Sequence, residues 1–336
     1  MRPTSFEYLG EETLNLVRVA SRSAFALGMT IYCTVVIASQ TFIGFVAPDE
    51  EPRYANLMLG MRQGLQREDA AKRDLTIVEY RIPRRDAAAA RRAAESLRIR
   101  GVSAAFVVGT ELTRSLRSVI KELPIIFITP GNPVRPGLAA SLAHPGNNMT
   151  GMTFEFPELS AKRLEMLKEI NPATLVVGVV YDPRDESPRQ GFAAAKEGAR
   201  KLGLQLVEID VESLRAGQTP QTPSAKLDGL ILLPGGAITT VATAAIRLAT
   251  TLRIVSVVWA RSEATQDAIL SYGVNDVDVA RDAARLVMRV VNGYPAGNLP
   301  IERPSRFELV VNRKAAKAIG VTLPPEIMVR ADRVIE

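Results

Sequence analysis

The chain has 336 residues, 47% of them hydrophobic and 23% charged, enough for two globular domains at roughly 100–200 residues each. Its formal charge of +6 comes from 42 Lys and Arg against 36 Asp and Glu. The two signs are interleaved along the chain rather than clustered as in nucleic-acid binders, so the excess reads as solvated surface and no nucleic-acid partner is expected. One cysteine, Cys33, and one histidine, His144, exclude an intrachain disulfide and a Cys/His metal site.

Arg18 and Arg22 precede the apolar run from Ala24 to Ala38, which matches a signal-peptide core and falls short of the ~20 residues of a membrane span. Export with cleavage after Ala38 is the favoured reading. Glu7, Glu11 and Glu12 are atypical of the segment before such a core, and leave an uncleaved anchor or a buried helix open. Cys33 lies inside the run without lipoprotein-type residues before it.

Short apolar runs then alternate with helical patterns. Strands are predicted at 42–47, 75–82, 104–109 and 124–129, with helices near 54–66, 86–98 and 112–121. This is the rhythm of a parallel sheet covered on both faces. A passage dense in proline and glycine, 130–151, reads as a structured crossover, because its Asn-Pro and Pro-Gly pairs prescribe turns and Leu138, Leu142, Met149 and Met152 give it something to bury. The rhythm resumes with a helix at 158–170 and strands at 175–181, 205–210, 227–233 and 254–258, with helices at 189–202 and 240–251 among them.

A strand at 268–275 leads to an amphipathic helix at 278–292 with Ala283, Leu286, Val287 and Val290 on one face, stopped by Gly293-Tyr294-Pro295. A strand at 307–311, a helix at 314–319 and a short helix opened by Pro324-Pro325 close the chain. The expected fold is α/β, two doubly wound Rossmann-like lobes joined by a hinge. The first lobe takes 39–152 with 276–303, the second 153–275 with 304–336, and residues 1–38 are a signal peptide or anchor. A ligand would sit at the carboxyl ends of the strands, between the lobes.

The segments Gly131-Asn132-Pro133-Val134, Gly137-Leu138, Ala140-Ser141-Leu142, Pro145-Gly146, Thr150-Gly151, Ala161-Lys162-Arg163-Leu164-Glu165, Ser271-Tyr272-Gly273 and Phe307-Glu308-Leu309-Val310, in that order, resemble the substrate-binding proteins of ABC transporters that include tryptophan-binding lipoproteins. The resemblance runs from Ile43 to the C-terminus. It implies a type I periplasmic-binding fold, export to the periplasm, a small-molecule ligand, a membrane permease as partner, and a monomer.

The chain departs from that pattern at the acidic turn Pro48-Asp49-Glu50-Glu51, at Thr110-Glu111-Leu112, and at Asn132, where relatives carry Asp. Asp49 or Glu50, if turned to the cleft, would meet a ligand cation by a charge-assisted hydrogen bond; a solvated loop is the other reading. Thr110, at a strand-to-helix junction, either holds a ligand carboxylate with the helix N–H groups or simply caps the helix, and Glu111 would oppose such an anion. Asn132 offers both donor and acceptor to a ligand. Tyr181, Asp182, Gly235, Gly236 and Tyr272 would form the far edge of the cleft, with packing as the alternative for Tyr272.

Aromatics are sparse, with one Trp, Trp259, so tryptophan itself is not assigned as ligand. The expected class is an amino-acid-like compound or small carboxylate. No cofactor is expected. A ligand-sensing regulator of the same fold would need a DNA-binding motif where residues 1–40 offer an apolar segment. An enzyme is disfavoured by the lack of a Walker loop, a GxGxxG or a nucleophile elbow.

Overall fold

The computed structural model describes residues 40–336 apart from 50, 52, 69–73, 84–85, 155–156, 218–225, 236–237, 261 and 263–264. The expectations for 1–38, including the leader and Cys33, lie outside the described residues, as do Glu50 and Gly236. Among the described residues no helix is long and apolar enough to cross a membrane.

Near-continuous apolar runs form the strands, because helices cover both faces of each sheet. In the first lobe β1 (Thr41–Pro48), β2 (Leu75–Ile82), β3 (Ala104–Val108), β4 (Ile125–Thr129) and β5 (Met149–Thr153) lie in the order β2-β1-β3-β4-β5, all parallel. Helix α1 (Tyr54–Arg67) packs on one face, where Phe45 and Phe106 meet Leu57 and Met61. Helices α2 (Ala87–Ile99) and α3 (Thr110–Val119) cover the other with Ala90, Leu97 and Leu116. Asp86 caps α2 by accepting the Ala89 N–H, satisfying one of the donors a helix start leaves open.

The second lobe holds α4 (Pro157–Ile170), β6 (Val176–Val180), α5 (Glu186–Leu202), β7 (Gln205–Ile209), α6 (Val211–Arg215), β8 (Gly229–Leu232), α7 (Ile238–Leu252), β9 (Val255–Val258) and β10 (Leu270–Gly273). Helix α8 (Asp276–Val291) then returns to the first lobe, and β11 (Glu308–Asn312), α9 (Arg313–Ala318), α10 (Pro325–Arg330) and β12 (Arg333–Ile335) complete the second. The sheet order is β12-β11-β10-β9-β8-β6-β7, parallel except where β11 runs against β10.

Helix α8 reaches α1 closely because the facing residues are small. A Cβ on Gly60 would overlap the Val277 carbonyl oxygen and stand 2.9 Å from Ala280 Cβ. That pairing brings the N-terminus of α8 beside the start of α1, next to the cleft.

The passage 130–151, read as a crossover, also contributes β5, whose backbone pairs with β4 and, through Glu302, with the 301–302 segment. Its Met-Thr-Gly-Met-Thr sequence shows no alternation because all five residues are buried. The chain leaves the first sheet after Thr153, at Phe154. Helix α6 and strand β12 also escape a reading by period, being only 5 and 3 residues long.

Candidate functional site

The carboxyl ends of β1, β3 and β4 face those of β6, β8 and β9 across a cavity lined by both lobes. Open α/β sheets bind ligands at such strand ends, where chain turns from neighbouring strands converge. The first lobe contributes Pro48 at the end of β1, Glu51 and Arg53 after it, Val108 to Leu112 around the start of α3, Ile128 and Pro130 at the end of β4, and Phe154. The second contributes Asp185 after β6, Pro234, Gly235 and Thr239 after β8, and Trp259 after β9.

Helix α3 begins at this cavity without a side-chain cap. The Thr110 hydroxyl is buried and has no hydrogen-bond partner. The first N–H groups of a helix lack intrahelical acceptors and carry the positive end of its dipole, so this junction suits an anionic group. Glu111 stands in the same first turn.

Behind the first-lobe wall lies a buried charged cluster. Arg53 Nε donates to Asp276 Oδ1 at 2.8 Å, and Nη2 donates to the same oxygen. The guanidinium carbon sits 4.5 Å from the centre of the Phe154 ring, and the Arg53 backbone N–H donates to Glu51 Oε1 at 3.4 Å. Glu51, Arg53 and Asp276 are all buried. Burial is the largest influence on Asp276 and pushes its carboxyl up, against the pull of Arg53. Burial also disfavours the Arg53 charge, but Asp276 more than offsets it and holds the guanidinium above its ordinary value.

Arg53 therefore remains cationic and already carries its counterion. Asp276 Oδ2 has no partner. Arg53 also joins the cavity wall to both Phe154, where the chain leaves the first lobe, and Asp276, where it returns.

On the opposite wall, the Asp185 carboxylate caps α5 by accepting the Ser187 N–H at 3.2 Å. A Cβ on Gly235 would stand 3.1 Å from Pro188 Cγ and 3.3 Å from Asp185 Oδ2. Trp259 is buried and lines the same cavity.

Of the residues singled out from sequence, Thr110, Glu111 and Gly235 line the cavity. Asp49 is exposed and does not; its carbonyl oxygen accepts from the Arg81 guanidinium. Asn132 is exposed and outside the lining, its Oδ1 accepting the Val134 N–H at 2.9 Å to close a local turn. The Tyr181 hydroxyl donates to Glu208 at 2.6 Å and its ring stacks on Phe192 of α5, so the side chain points into the second-lobe layers. Asp182 is buried and accepts from the Arg184 N–H at 2.9 Å and Nε at 2.8 Å, shaping the turn before α5. Tyr272 packs on Phe307.

Among the other lining residues, Glu51, Arg53, Phe154, Asp185, Thr239 and Trp259 were not named as ligand contacts from sequence. For Trp259 a signal was present, since it directly follows the strand expected at 254–258. For Arg53 there was none, because its partner lies 223 positions away.

The curated "Tyrosine-binding protein" of Clostridioides difficile (strain R20291) is 22% identical over 217 residues, 64% of this chain and 62% of that protein. The match thus spans less than two thirds of that relative's length. The crystal structure of a conserved domain protein from Vibrio cholerae O1 superposes with a TM-score of 0.75 at 22% identity, covering 88% of this chain and 99% of the other. An ABC domain from Streptococcus pneumoniae, solved in complex with L-Trp, gives 0.74 at 19% identity, covering 87% and 100%. These likenesses establish the two-lobed type I periplasmic-binding fold. Residues 43–335 match the family described as ABC transporter substrate binding protein, and the chain belongs to that family.

Proposed function

We propose that this chain is an exported receptor that captures a small amino-acid-like ligand or small carboxylate between its lobes and delivers it to an ABC permease in the membrane. The observation that carries the reading is the cavity at the facing strand ends, with an unpartnered Thr110 hydroxyl at the start of α3. A ligand carboxylate would lie against that hydroxyl and the first N–H groups of α3. Its ammonium would face the carboxylates Glu51 and Asp185, and its side chain would lie among Leu112, Ile128, Phe154 and Trp259.

The function is binding without bond chemistry. A ligand that touches both walls stabilises the closed arrangement by its extra affinity for it, and the permease would read the closed rims. The acidic turn after β1 contributes through Glu51 in this reading, and the ligands of the relatives make L-tyrosine and L-tryptophan the first compounds to try.

The test is a thermal-shift panel of amino acids, amino-acid amides and small carboxylates, with calorimetry on the hits. A saturable rise in Tm is expected for an α-amino acid and not for its amide, since native-state binding raises apparent stability by mass action. Amides binding as well as acids would remove the carboxylate from the reading, and a folded protein that binds none of the panel would overturn it.

A further inference from the structure

Beside the cavity the two lobes touch at a second place. The turn after β4 carries Gly131 and Arg135, and α5 of the second lobe opens with Glu186 and Ser187 opposite them. Gly131 is buried with φ +71°, and its carbonyl accepts the Thr153 hydroxyl, which ties the turn to β5. A Cβ built on Gly131 would overlap Ser187 Oγ and stand 3.0 Å from Ser187 Cβ and 3.4 Å from its Cα. The Ser187 hydroxyl is buried and has no partner. Farther out, Arg135 Nη1 lies 3.8 Å from Glu186 Oε1.

We infer that the missing side chain at Gly131 is what admits the α5 N-terminus to the first lobe, and that this contact sets how far the lobes close. Asp185 caps the same helix end and lines the cavity. The depth of the Gly131–Ser187 contact therefore also fixes where Asp185 stands in the site. Gly131 and Ser187 are positioning residues, and the pair of exposed Arg135 with half-buried Glu186, at 3.8 Å, adds little, as ion pairs open to solvent do. The consequence for ligand affinity rests on the receptor reading; the contact itself does not.

The same turn supplies an internal control. Gly137 has φ +74°, and a Cβ there meets nothing within 4 Å. Alanine at either position carries similar backbone strain, but only at 131 does it meet the other lobe.

The experiment measures lobe separation in the full chain without ligand. Nitroxides are placed at Ile99→Cys and Leu175→Cys in a Cys33→Ser background, and distances are read by pulsed electron spin resonance. Both positions are exposed, and each stands just before its lobe's sheet at the end away from the cavity, ahead of β3 and β6. Gly131→Ala is expected to displace the distance distribution from that of the parent, Gly137→Ala to leave it unchanged, and Ser187→Gly to restore it in the Gly131→Ala background. Ser187→Val, which adds bulk from a helix without strain, is expected to act like Gly131→Ala even if that variant folds poorly.

Identical distributions for the parent, Gly131→Ala and Ser187→Val would overturn the inference, as would an equal displacement by Gly137→Ala. With L-tyrosine or L-tryptophan as probe, Gly131→Ala should bind at least ~5-fold more weakly than Gly137→Ala, because apparent affinity scales with the closed fraction. If neither probe binds any variant, the ligand assignment fails while the distance measurement still decides the contact.

Discussion

The first-lobe wall of the cleft is backed by a buried ion pair, Arg53 with Asp276, and opens onto a helix start whose Thr110 hydroxyl has no partner. The second-lobe wall is made of a capping carboxylate, Asp185, a glycine in close contact with it, Thr239 and the flank of Trp259. On the first side, charge taken out of water is held by residues that also anchor two of the three chain passages between the lobes, at Phe154 and Asp276, so the wall is part of the fold. The second side presents side chains at helix starts and strand ends, where small changes alter the surface offered to a ligand more than they alter the lobe's core.

The largest expected effect breaks the first wall. Arg53→Met leaves the Asp276 carboxylate buried without its counterion and should lower unfolding free energy by about 3–5 kcal/mol in chemical denaturation. Adding Asp276→Leu should recover most of the loss, since the penalty comes from the uncompensated charge. A single-variant cost below about 1 kcal/mol would mean that the pair is not integral to the wall.

Thr110→Val separates binding from stability on that same wall. It removes a buried hydroxyl that makes no hydrogen bond, so the ligand-free protein should be as stable or slightly more so. Affinity for the ligand found by screening should fall by about 1 kcal/mol, the worth of one hydrogen bond. Denaturation and calorimetry on one preparation measure both, and loss of stability with unchanged affinity would assign Thr110 to helix capping.

On the second wall, Gly235→Ala should cost about 1 kcal/mol of stability, the low end for an added methyl, because Pro188 and Asp185 need move only a few tenths of an ångström. Calorimetry should show weaker binding as Asp185 shifts. A cost matching that of Arg53→Met would erase the contrast between the walls.

The smallest effect lies away from the cleft. The Leu309 N–H, at 2.8 Å, and then Arg306 hold the Asp332 carboxyl below the usual carboxylate range. Because the folded pKa is depressed, this stabilisation is present above the unfolded pKa and is lost as pH falls through the folded one. Asp332→Asn should flatten that acid limb in pH-dependent denaturation without touching ligand affinity. An unchanged acid limb would discount the interaction.

Much of the scaffold was legible along the chain. The runs at 104–108 and 125–129 are buried throughout, and a strand covered on both faces needs apolar residues at every position. β5 was less legible, because its pairing with β4 comes from register between distant segments and not from a hydrophobic period. Thr110, Glu111 and Gly235 could be picked out because ligands gather at strand ends, a rule that needs only chain order. Asn132 obeys the same rule, yet its side chain turns back to its own backbone at Val134, a choice made by local hydrogen bonding.

By itself the sequence determined the alternation of strands and helices, and with it the two-lobed class, because burial on both faces and turn chemistry act over a few neighbouring residues. Only the tertiary structure decided which polar groups share the cleft. The Arg53–Asp276 pair, the approach of α8 to α1 at Gly60, and the seating of Ser187 on Gly131 each join residues far apart in the chain. Their energies depend on distances of a few ångströms that exist only once both sheets are packed.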